Sequence, residues 1–329
     1  MASSDQPPAN TSRRFIWLAA AIVAVILAYT AAWYYGAGVV LERVTSGIAS
    51  MNSDGRRVNC ENTEVLGYPF RMGVACRTVL FEDARAGVGL RAHKFRTTAY
   101  VYTPNRTITE VEGPAILQVP GLDPLNLTWN SLRATTRLAS PLPERVSIES
   151  KGLIVRVDEL GDVTPLLFKA DLFELHMRPQ QDDLDVAARF GGLGFNADVV
   201  TLPTFSGVID AQFVDGALLG GGGGPGLRNR SGTLRDATVT IEWSTAGASL
   251  SGLFSVDEAG MIDAELQIVL RNPAQLTAAL VELFPDAGQE IQLGIAGVAA
   301  MGDAPTLPLR IRKGEVRLGF FVLGFIPPV

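Results

Sequence analysis

The hydrophobic pattern divides the chain into one long apolar run and a later series of short alternating stripes. The run extends from Phe15 to Tyr35 and contains no charged residue. At about 1.5 Å per residue, a helix of this length crosses the roughly 30 Å hydrocarbon core of a bilayer. Trp17 and Trp33 lie near its two ends, where aromatic rings favour the headgroup layer. The run therefore predicts a transmembrane anchor over residues 15–38.

The charges that flank the run predict on which side of the membrane the body lies. Arg13 and Arg14 precede the run directly, whereas the first basic residue after it is Arg43. The positive-inside rule therefore places a short, disordered tail (residues 1–14) in the cytoplasm and the body across the membrane. A cleaved signal peptide is the alternative, although the apolar character persists to Leu41, beyond a usual h-region. In both interpretations, the part of the chain after the run lies on the far side of the membrane from the cytoplasm.

The period of the pattern changes twice after the anchor. Residues 39–55 have near-helical apolar spacing and predict a juxtamembrane helix that ends in a turn cluster. From Gly67 onward, apolar and polar residues alternate, which is typical of antiparallel strands with one apolar face. The clearest stripes are Phe70, Met72, Val74 and Cys76; Leu125, Leu127 and Trp129; Val146 and Ile148; Phe173, Leu175 and Met177; Val239, Ile241 and Trp243; and Ile262, Ala264, Leu266, Ile268 and Leu270.

These stripes predict a mainly β (α+β) body over residues 56–329. We expect an elongated, mostly antiparallel β-meander sheet, and a division into two subdomains near residues 220–230 stays open. A helical pair is predicted near the C-terminus, because Asn272-Pro273 is typical of a helix start and Ile291 to Met301 is a second apolar stretch. Glu315 to Phe325 predicts a strand with apolar residues on both faces, which should be covered on both sides.

Composition and charge exclude nucleic acid as a partner. The 329 residues are 47% hydrophobic and 19% charged, with a net charge of −6 and no block rich in lysine or arginine. The acidic balance also argues against strong attraction of the body to anionic headgroups. This composition is sufficient for a sizeable core.

The two cysteines, Cys60 and Cys76, predict a structural disulfide. An isolated pair in an exported domain favours a disulfide, which would stabilise by about 3 kcal/mol for a loop of roughly 15 residues. A metal site or a redox pair are the alternatives. Metal binding would need further ligands, and His93 and His176 are the only histidines, while the spacing is not C-x-x-C. We expect neither a metal nor a cofactor.

The sequence contains no motif that supports catalysis. The glycine-rich segment 220–226 is not followed by a Lys-Ser/Thr pair, and no strand-to-helix frame surrounds it. Asp182, Asp183 and Asp185 lack the spacing of a calcium loop. Because the motifs of serine and zinc hydrolases are also missing, the chain is predicted not to be an enzyme.

Several short motifs follow the predicted anchor: Cys60, Gly67-Tyr-Pro-Phe-Arg71, Cys76, Tyr102-Thr-Pro-Asn-Arg106 and Gly314-Glu-Val-Arg-Leu-Gly319. In this order they resemble an alphaproteobacterial family, the domain-of-unknown-function family 2125. The resemblance covers most of residues 15–329 and implies a single-pass protein of the bacterial inner membrane whose body lies in the periplasm. It carries over no active site.

Two classes of function remain. The apolar stripes exceed what the few helices can cover, so the sheet could bind a lipid or acyl ligand in an open groove. Alternatively, two sheet layers bury the stripes as a sandwich, and the protein is a non-catalytic scaffold that binds other proteins of the cell envelope. The residues predicted to line the groove are Phe173, Leu175, Val239, Ile241, Trp243, Leu266 and Ile268.

Overall fold

The computed structural model describes residues 11–52, 55–140, 142–157, 166–195, 203–216, 227–242, 244–283, 288–289, 292, 302–319 and 321–328. Within these residues, a long N-terminal helix is followed by a sheet of 17 strands, with one short helix between two of the last strands. Every strand pairing is antiparallel. The predicted mainly β class and the meander are therefore confirmed.

Helix α1 (Thr11–Met51) is continuous over 41 residues. The segments predicted as anchor and juxtamembrane helix thus form one element, since no proline interrupts them. Its most apolar stretch has a mean hydropathy of 2.3 and is long and apolar enough to cross a membrane. After α1, the side chain of Asn52 accepts the backbone N–H of Val58 at 2.5 Å, and the chain turns back into the first strand.

The sheet is built from strands whose side chains alternate between its faces. Its strands are β1 (Arg56–Glu61), β2 (Glu64–Leu66), β3 (Arg71–Asp83), β4 (Val88–Tyr100), β5 (Thr103–Gln118), β6 (Leu125–Thr128), β7 (Ser131–Arg137), β8 (Arg145–Val157), β9 (Leu166–Gln180), β10 (Asp183–Phe195), β11 (Phe205–Phe213), β12 (Arg230–Ile241), β13 (Gly247–Val256), β14 (Ile262–Arg271), β15 (Thr306–Arg312), β16 (Glu315–Leu318) and β17 (Phe321–Phe325). Helix α2 (Pro273–Leu283) lies between β14 and β15.

The strands follow one another through the sheet with two local departures. Strands β1 and β2 lie end to end along β3, so together they form one edge. Strands β6 and β7 likewise share the position between β5 and β8. From β8 to β17 each strand pairs with the next. Strand β11 therefore pairs with β12, and the glycine-rich segment between them in the sequence lies outside the described residues.

The predicted disulfide is confirmed. Cys60 in β1 and Cys76 in β3 are bonded, with their Cα atoms 5.3 Å apart. The bond fastens the edge formed by β1 and β2 to the rest of the sheet.

Two sequence predictions are wrong in detail. Phe70 does not begin the first stripe but lies in the turn before β3, because the Arg71 N–H donates to Gly67 O at 2.8 Å and closes that turn. The segment from Glu315 to Phe325 is not one strand. It divides at Gly319, which has a left-handed φ of +59°, into the paired strands β16 and β17.

The C-terminal helices are confirmed in part. Helix α2 begins at Pro273, as the Asn-Pro pair predicts, and runs for 11 residues. The second predicted helix, Ile291 to Met301, lies outside the described residues apart from Gln292.

Candidate functional site

The predicted groove residues that the structure describes lie on one face of the sheet. Residues directly opposite each other in an antiparallel pair share a face, so the strand register connects the faces of distant strands. The six residues are Phe173 and Leu175 in β9, Val239 and Ile241 in β12, and Leu266 and Ile268 in β14. Trp243, the seventh, lies outside the described residues.

The register arranges these residues in rows that cross the sheet. Phe173 faces Phe190, and the same row continues through Gly207 to Val239. The next row, from β8 to β15, contains Ile148, Leu175, Ala188, Ile209, Ala237, Leu250, Ile268 and Leu307. The row after it contains Val146, Met177, Val186, Ala211, Leu234, Gly252, Leu266 and Leu309. The apolar face is therefore continuous over these strands.

This apolar face is covered unevenly. Leu266 and Ile241 are each 7% exposed, whereas Val239 is 40% and Ile209 is 39% exposed. Leu266 belongs to a small buried cluster at the C-terminal end of the sheet, together with Ala264 and Ile311. Among the described residues no large side chain is fully buried. A sealed sandwich core would enclose its large side chains completely, so the middle of this face is only half covered.

The opposite face of the sheet is polar and carries ion pairs between neighbouring strands. Arg133 contacts Glu110 at 2.8 Å, and Arg235 bridges Asp185 and Asp210 at 2.5 and 2.9 Å. Open clefts of about 480 and 730 Å³ lie on this face. Because these charges are exposed to water, each pair contributes little stability, but together they define the solvent-facing side.

The titratable side chains of the described residues form no recognisable catalytic or metal centre. No group of three histidine, cysteine, aspartate or glutamate side chains gathers there to hold a metal. His176 is exposed and pairs its Nδ1 with Ser147 Oγ at 2.9 Å, while His93 Nδ1 lies 3.1 Å from Pro114 O. The expectation that the chain is not an enzyme stays a prediction.

A second candidate region, which sequence reasoning missed, joins α1 to the sheet. The turn before β3 contacts α1 through three hydrogen bonds that involve side chains of the helix. Tyr29 donates its hydroxyl to Pro69 O at 2.6 Å, and Trp33 donates its indole N–H to Arg71 O at 3.0 Å. The hydroxyls of Thr30 and Tyr68 lie 2.8 Å apart. Trp33 is only 7% exposed, so the turn is fixed against the helix.

The Gly67-Tyr-Pro-Phe-Arg71 motif explains this contact. Gly67 has a φ of +111°, and a Cβ there would lie 2.8 Å from Arg71 O, so only glycine fits the turn. The Tyr68 ring packs edge-on against Trp33, with centroids 5.5 Å apart. The motif was visible in the sequence, but its partner on α1 was not.

A polar cluster at a β-bulge holds the ends of three strands together. The register of β10 against β11 shifts between Phe190 and Leu193. The carboxylate of Glu242 accepts the N–H of Gly192 at 2.8 Å and also the Ser206 hydroxyl. Hydrogen bonds from the Ser206 hydroxyl, the Thr204 hydroxyl and the Gly192 N–H hold the pKa of Glu242 below its ordinary value. These contacts stabilise the bulge.

Comparison with known proteins identifies a family but no characterised relative. A family model described as "Uncharacterized protein conserved in bacteria (DUF2125)" matches residues 33–327. The match includes the end of the apolar run and all 17 described strands of the sheet. A search of curated proteins finds no match to the chain.

Proposed function

Because the chain belongs to the DUF2125 family of uncharacterised bacterial proteins, we propose a function from its own geometry. Helix α1 anchors the protein in the bacterial inner membrane with the sheet in the periplasm. The half-covered apolar face of the sheet binds the acyl chain of an envelope lipid. No catalytic step is part of this proposal.

The observation that carries the proposal is the continuity of the apolar rows. With strands about 4.8 Å apart, the rows from β8 to β15 extend over roughly 30 Å. An acyl chain spans about half of a bilayer core of roughly 30 Å, so the face is long enough to hold one. Burial of about ten methylenes, at about 0.8 kcal/mol each, would supply several kcal/mol of binding free energy.

The half-exposed side chains indicate where the ligand would bind. Ile209 and Val239 lie in adjacent rows in the middle of the sheet and are 39% and 40% exposed. A chain that lies along these rows would remove that apolar surface from water. The buried cluster around Leu266 then forms the closed end of the site.

The membrane placement is supported by α1 and its flanks. The helix is long and apolar enough to cross a bilayer, and Arg13 and Arg14 precede its apolar stretch. The positive-inside rule then directs the sheet away from the cytoplasm. A disulfide between Cys60 and Cys76 agrees with an oxidising compartment.

A scaffold role in envelope assembly is the second candidate, because among the described strands β17 pairs only with β16. Val322, Leu323 and Phe325 on this strand are 59%, 60% and 60% exposed. An exposed apolar edge strand can extend its sheet by pairing with a strand of another protein. In this second candidate function, the protein would bind a polypeptide and not a lipid.

A matched pair of photo-crosslinking variants tests the acyl-binding proposal. Val208 and Ile209 are neighbours on β11, each is 39% exposed, and they lie on opposite faces. The full-length chain would carry benzoylphenylalanine at position 209 or at position 208 in its native membrane, and adducts would be identified by mass spectrometry after irradiation. We expect lipid adducts at position 209 and far fewer at position 208.

The other outcomes are equally informative. Equal lipid labelling at both positions, or none at position 209, would contradict an acyl-binding face. A third variant would carry benzoylphenylalanine at position 322, in the exposed edge strand β17. Protein adducts at position 322 without lipid adducts at position 209 would favour the scaffold.

A further inference from the structure

The part of the sheet that contacts α1 lies at a defined height relative to the bilayer. Helix α1 has 41 residues and is about 60 Å long, twice the roughly 30 Å hydrocarbon core. The sheet contacts it at Tyr29, Thr30 and Trp33, in the last turns of the apolar run that ends at Tyr35. If the run spans the core, Trp33 lies about 3 Å and Tyr29 about 9 Å inside the boundary with the headgroups, so the contact lies in the outermost part of the hydrocarbon core.

Two turns of the sheet meet at this height. The turn Tyr68–Phe70 precedes β3, and the turn Val101–Tyr102 joins β4 to β5. The N–H of Val101 donates to Phe70 O at 3.1 Å, which holds the two turns side by side. The Arg71 guanidinium lies 4.8 Å from the centre of the Tyr100 ring, and this ring stacks on Tyr102 with centroids 5.1 Å apart. The turns thus form one rigid edge.

This edge is unusually apolar for a surface of a protein body. Phe70 and Tyr102 are 68% and 72% exposed, and Tyr68 and Val101 are 46% and 44% exposed. We call these four residues the docking edge. Exposed aromatic side chains clustered in this way mark an interaction surface, and amphipathic rings favour the membrane interface.

A row of arginines lies beside the docking edge on the polar face. Arg106, Arg137 and Arg145 face one another directly across β5, β7 and β8. Like charges placed directly opposite each other are destabilising. Arg137 contacts Glu144 at 3.1 Å, but within the described part of the chain neither Arg106 nor Arg145 forms an ion pair. We call these three residues the arginine row.

The arginine row gives a locally positive surface on an acidic protein. A cleft of about 730 Å³ at the row is lined by four arginines and a single glutamate, although the whole chain has a net charge of −6. Arg106 follows the β4–β5 turn by only a few residues, roughly 10–15 Å along the strand. Because the turn reaches the outermost part of the hydrocarbon core, Arg106 lies at the level of the headgroup phosphates.

We propose that the docking edge inserts at the boundary between the hydrocarbon core and the headgroups of the membrane that α1 spans, and that the arginine row binds phosphate groups of anionic lipids just above this boundary. The first strands of the sheet then stand directly on the bilayer. An acyl chain could pass from the membrane to the apolar face without crossing water. This inference depends on the membrane anchor of the proposed function but not on acyl binding.

Site-directed fluorescence in lipid nanodiscs tests the inference. Since the described cysteines are both in the disulfide, a single introduced cysteine can be labelled selectively in the full-length chain. An environment-sensitive probe would be placed at Ile22→Cys in α1, at Tyr102→Cys in the docking edge, and at Leu122→Cys. Leu122 is 62% exposed and follows the opposite end of β5, so it is the matched control.

We expect depth-resolved quenching by spin-labelled lipids at two of these positions. The probe at 22 should be quenched by deep labels, the probe at 102 by shallow labels near the core boundary, and the probe at 122 by neither. Quenching at 22 without quenching at 102 would overturn the docking inference and leave the anchor intact. The absence of quenching at 22 would overturn the anchor itself.

The arginine row is tested by lipid selectivity in the same nanodiscs. The variant Arg106→Gln/Arg145→Gln would be compared with Arg189→Gln/Arg310→Gln, which removes two exposed arginines elsewhere on the polar face. Native mass spectrometry would count phosphatidylglycerol retained from a mixture with phosphatidylcholine. We expect the selectivity for phosphatidylglycerol over phosphatidylcholine to fall about fivefold for each arginine removed from the row. The control variant should retain the selectivity of the original chain. Equal selectivity in both variants would overturn the role of the row.

Discussion

Two hydrogen bonds join Glu242 and Thr204. The backbone N–H of Glu242 donates to Thr204 O at 2.8 Å, and Thr204 Oγ1 donates to the Glu242 carboxylate at 2.7 Å. The pair fixes the start of β11 against the end of β12, beside the bulge at Gly192. A single carboxylate therefore holds together backbone segments that are far apart in the sequence.

The carboxylate makes the stability of this region dependent on pH. The Ser206 hydroxyl, followed by Thr204 and the Gly192 N–H, holds the pKa of Glu242 below its ordinary value of 4.5. The stabilisation is therefore fully present above pH 4.5 and is lost as the pH falls through the lower pKa of the folded state. We expect Glu242→Gln to cost roughly 1–3 kcal/mol at neutral pH and to flatten this acid dependence. Thermal unfolding as a function of pH measures both effects.

An exposed carboxylate is the control for that measurement. Glu258 lies in the turn between β13 and β14 and is exposed. Glu258→Gln should leave both the stability and its acid dependence nearly unchanged. Equal effects of the two substitutions would contradict the role given to Glu242.

The second prediction concerns the junction between α1 and the sheet. Trp33→Phe removes the indole N–H that bonds to Arg71 O at 3.0 Å and should cost about 1 kcal/mol. Trp33→Ala also leaves a cavity beside Tyr68 and should cost about 3–5 kcal/mol. Hydrogen exchange of residues 67–71 in nanodiscs should increase in the same order. Trp17→Phe, at a position that is 73% exposed on α1, should change nothing.

The third prediction concerns the disulfide. Cys60 and Cys76 are separated by 16 residues, so reduction should destabilise the sheet by about 3 kcal/mol in the chain-entropy model. Denaturant unfolding of the oxidised and reduced protein measures the difference. The variant Cys60→Ala/Cys76→Ala should be insensitive to reductant, and a reductant effect on it would show that another process is being measured.

The fourth prediction uses a glycine that the packing requires. Gly232 in β12 lies between Phe213 and Phe254, whose rings pack with centroids 5.4 Å apart. A Cβ at Gly232 would clash with the Gln212 carbonyl oxygen and lie 2.6 Å from Phe254 Cζ. Gly232→Ala should therefore cost about 1–3 kcal/mol, as measured by chemical denaturation. At Gly191 the nearest atom would be 3.7 Å away, so Gly191→Ala should be nearly neutral.

The strands and their apolar sides could be predicted because alternation reports directly on a local geometry. Phe173 and Leu175, or Leu266 and Ile268, must share a face whenever their segment is extended. The register between strands cannot be predicted from this alternation. It is this register that places Phe173 and Val239 in the same row. That register depends on bulges and turn geometry, to which the period of the pattern is insensitive.

The contacts that were missed depend on turns and on distant partners. Phe70 continues the alternation of β3 in the sequence, but the hydrogen bond between Arg71 N and Gly67 O makes it part of a turn. Trp33, which holds this turn, is 38 residues from Arg71. Similarly, the last apolar segment folds as a hairpin at Gly319, where φ is +59°. Because a period is calculated over several residues, a single position such as Phe70 or Gly319 has little effect on it.

The last prediction concerns a hydroxyl on the apolar face. Ser150 lies opposite Leu132 and Phe173 and is 3% exposed. Its Oγ has no hydrogen-bond partner in the part of the chain that the structure describes. A buried hydroxyl without a partner costs about 1–3 kcal/mol, so Ser150→Ala should raise the free energy of unfolding by that amount. Chemical denaturation of delipidated protein measures it.

The matched control lies on the same strand and faces the other way. Ser147 Oγ pairs with His176 Nδ1 at 2.9 Å on the polar face, so Ser147→Ala should reduce stability slightly. If an envelope lipid binds along the row of Phe173, its polar end can supply the partner that Ser150 lacks. The gain from Ser150→Ala should then be larger in delipidated protein than in lipid-loaded protein. An equal gain in both states would place the polar end of the lipid elsewhere.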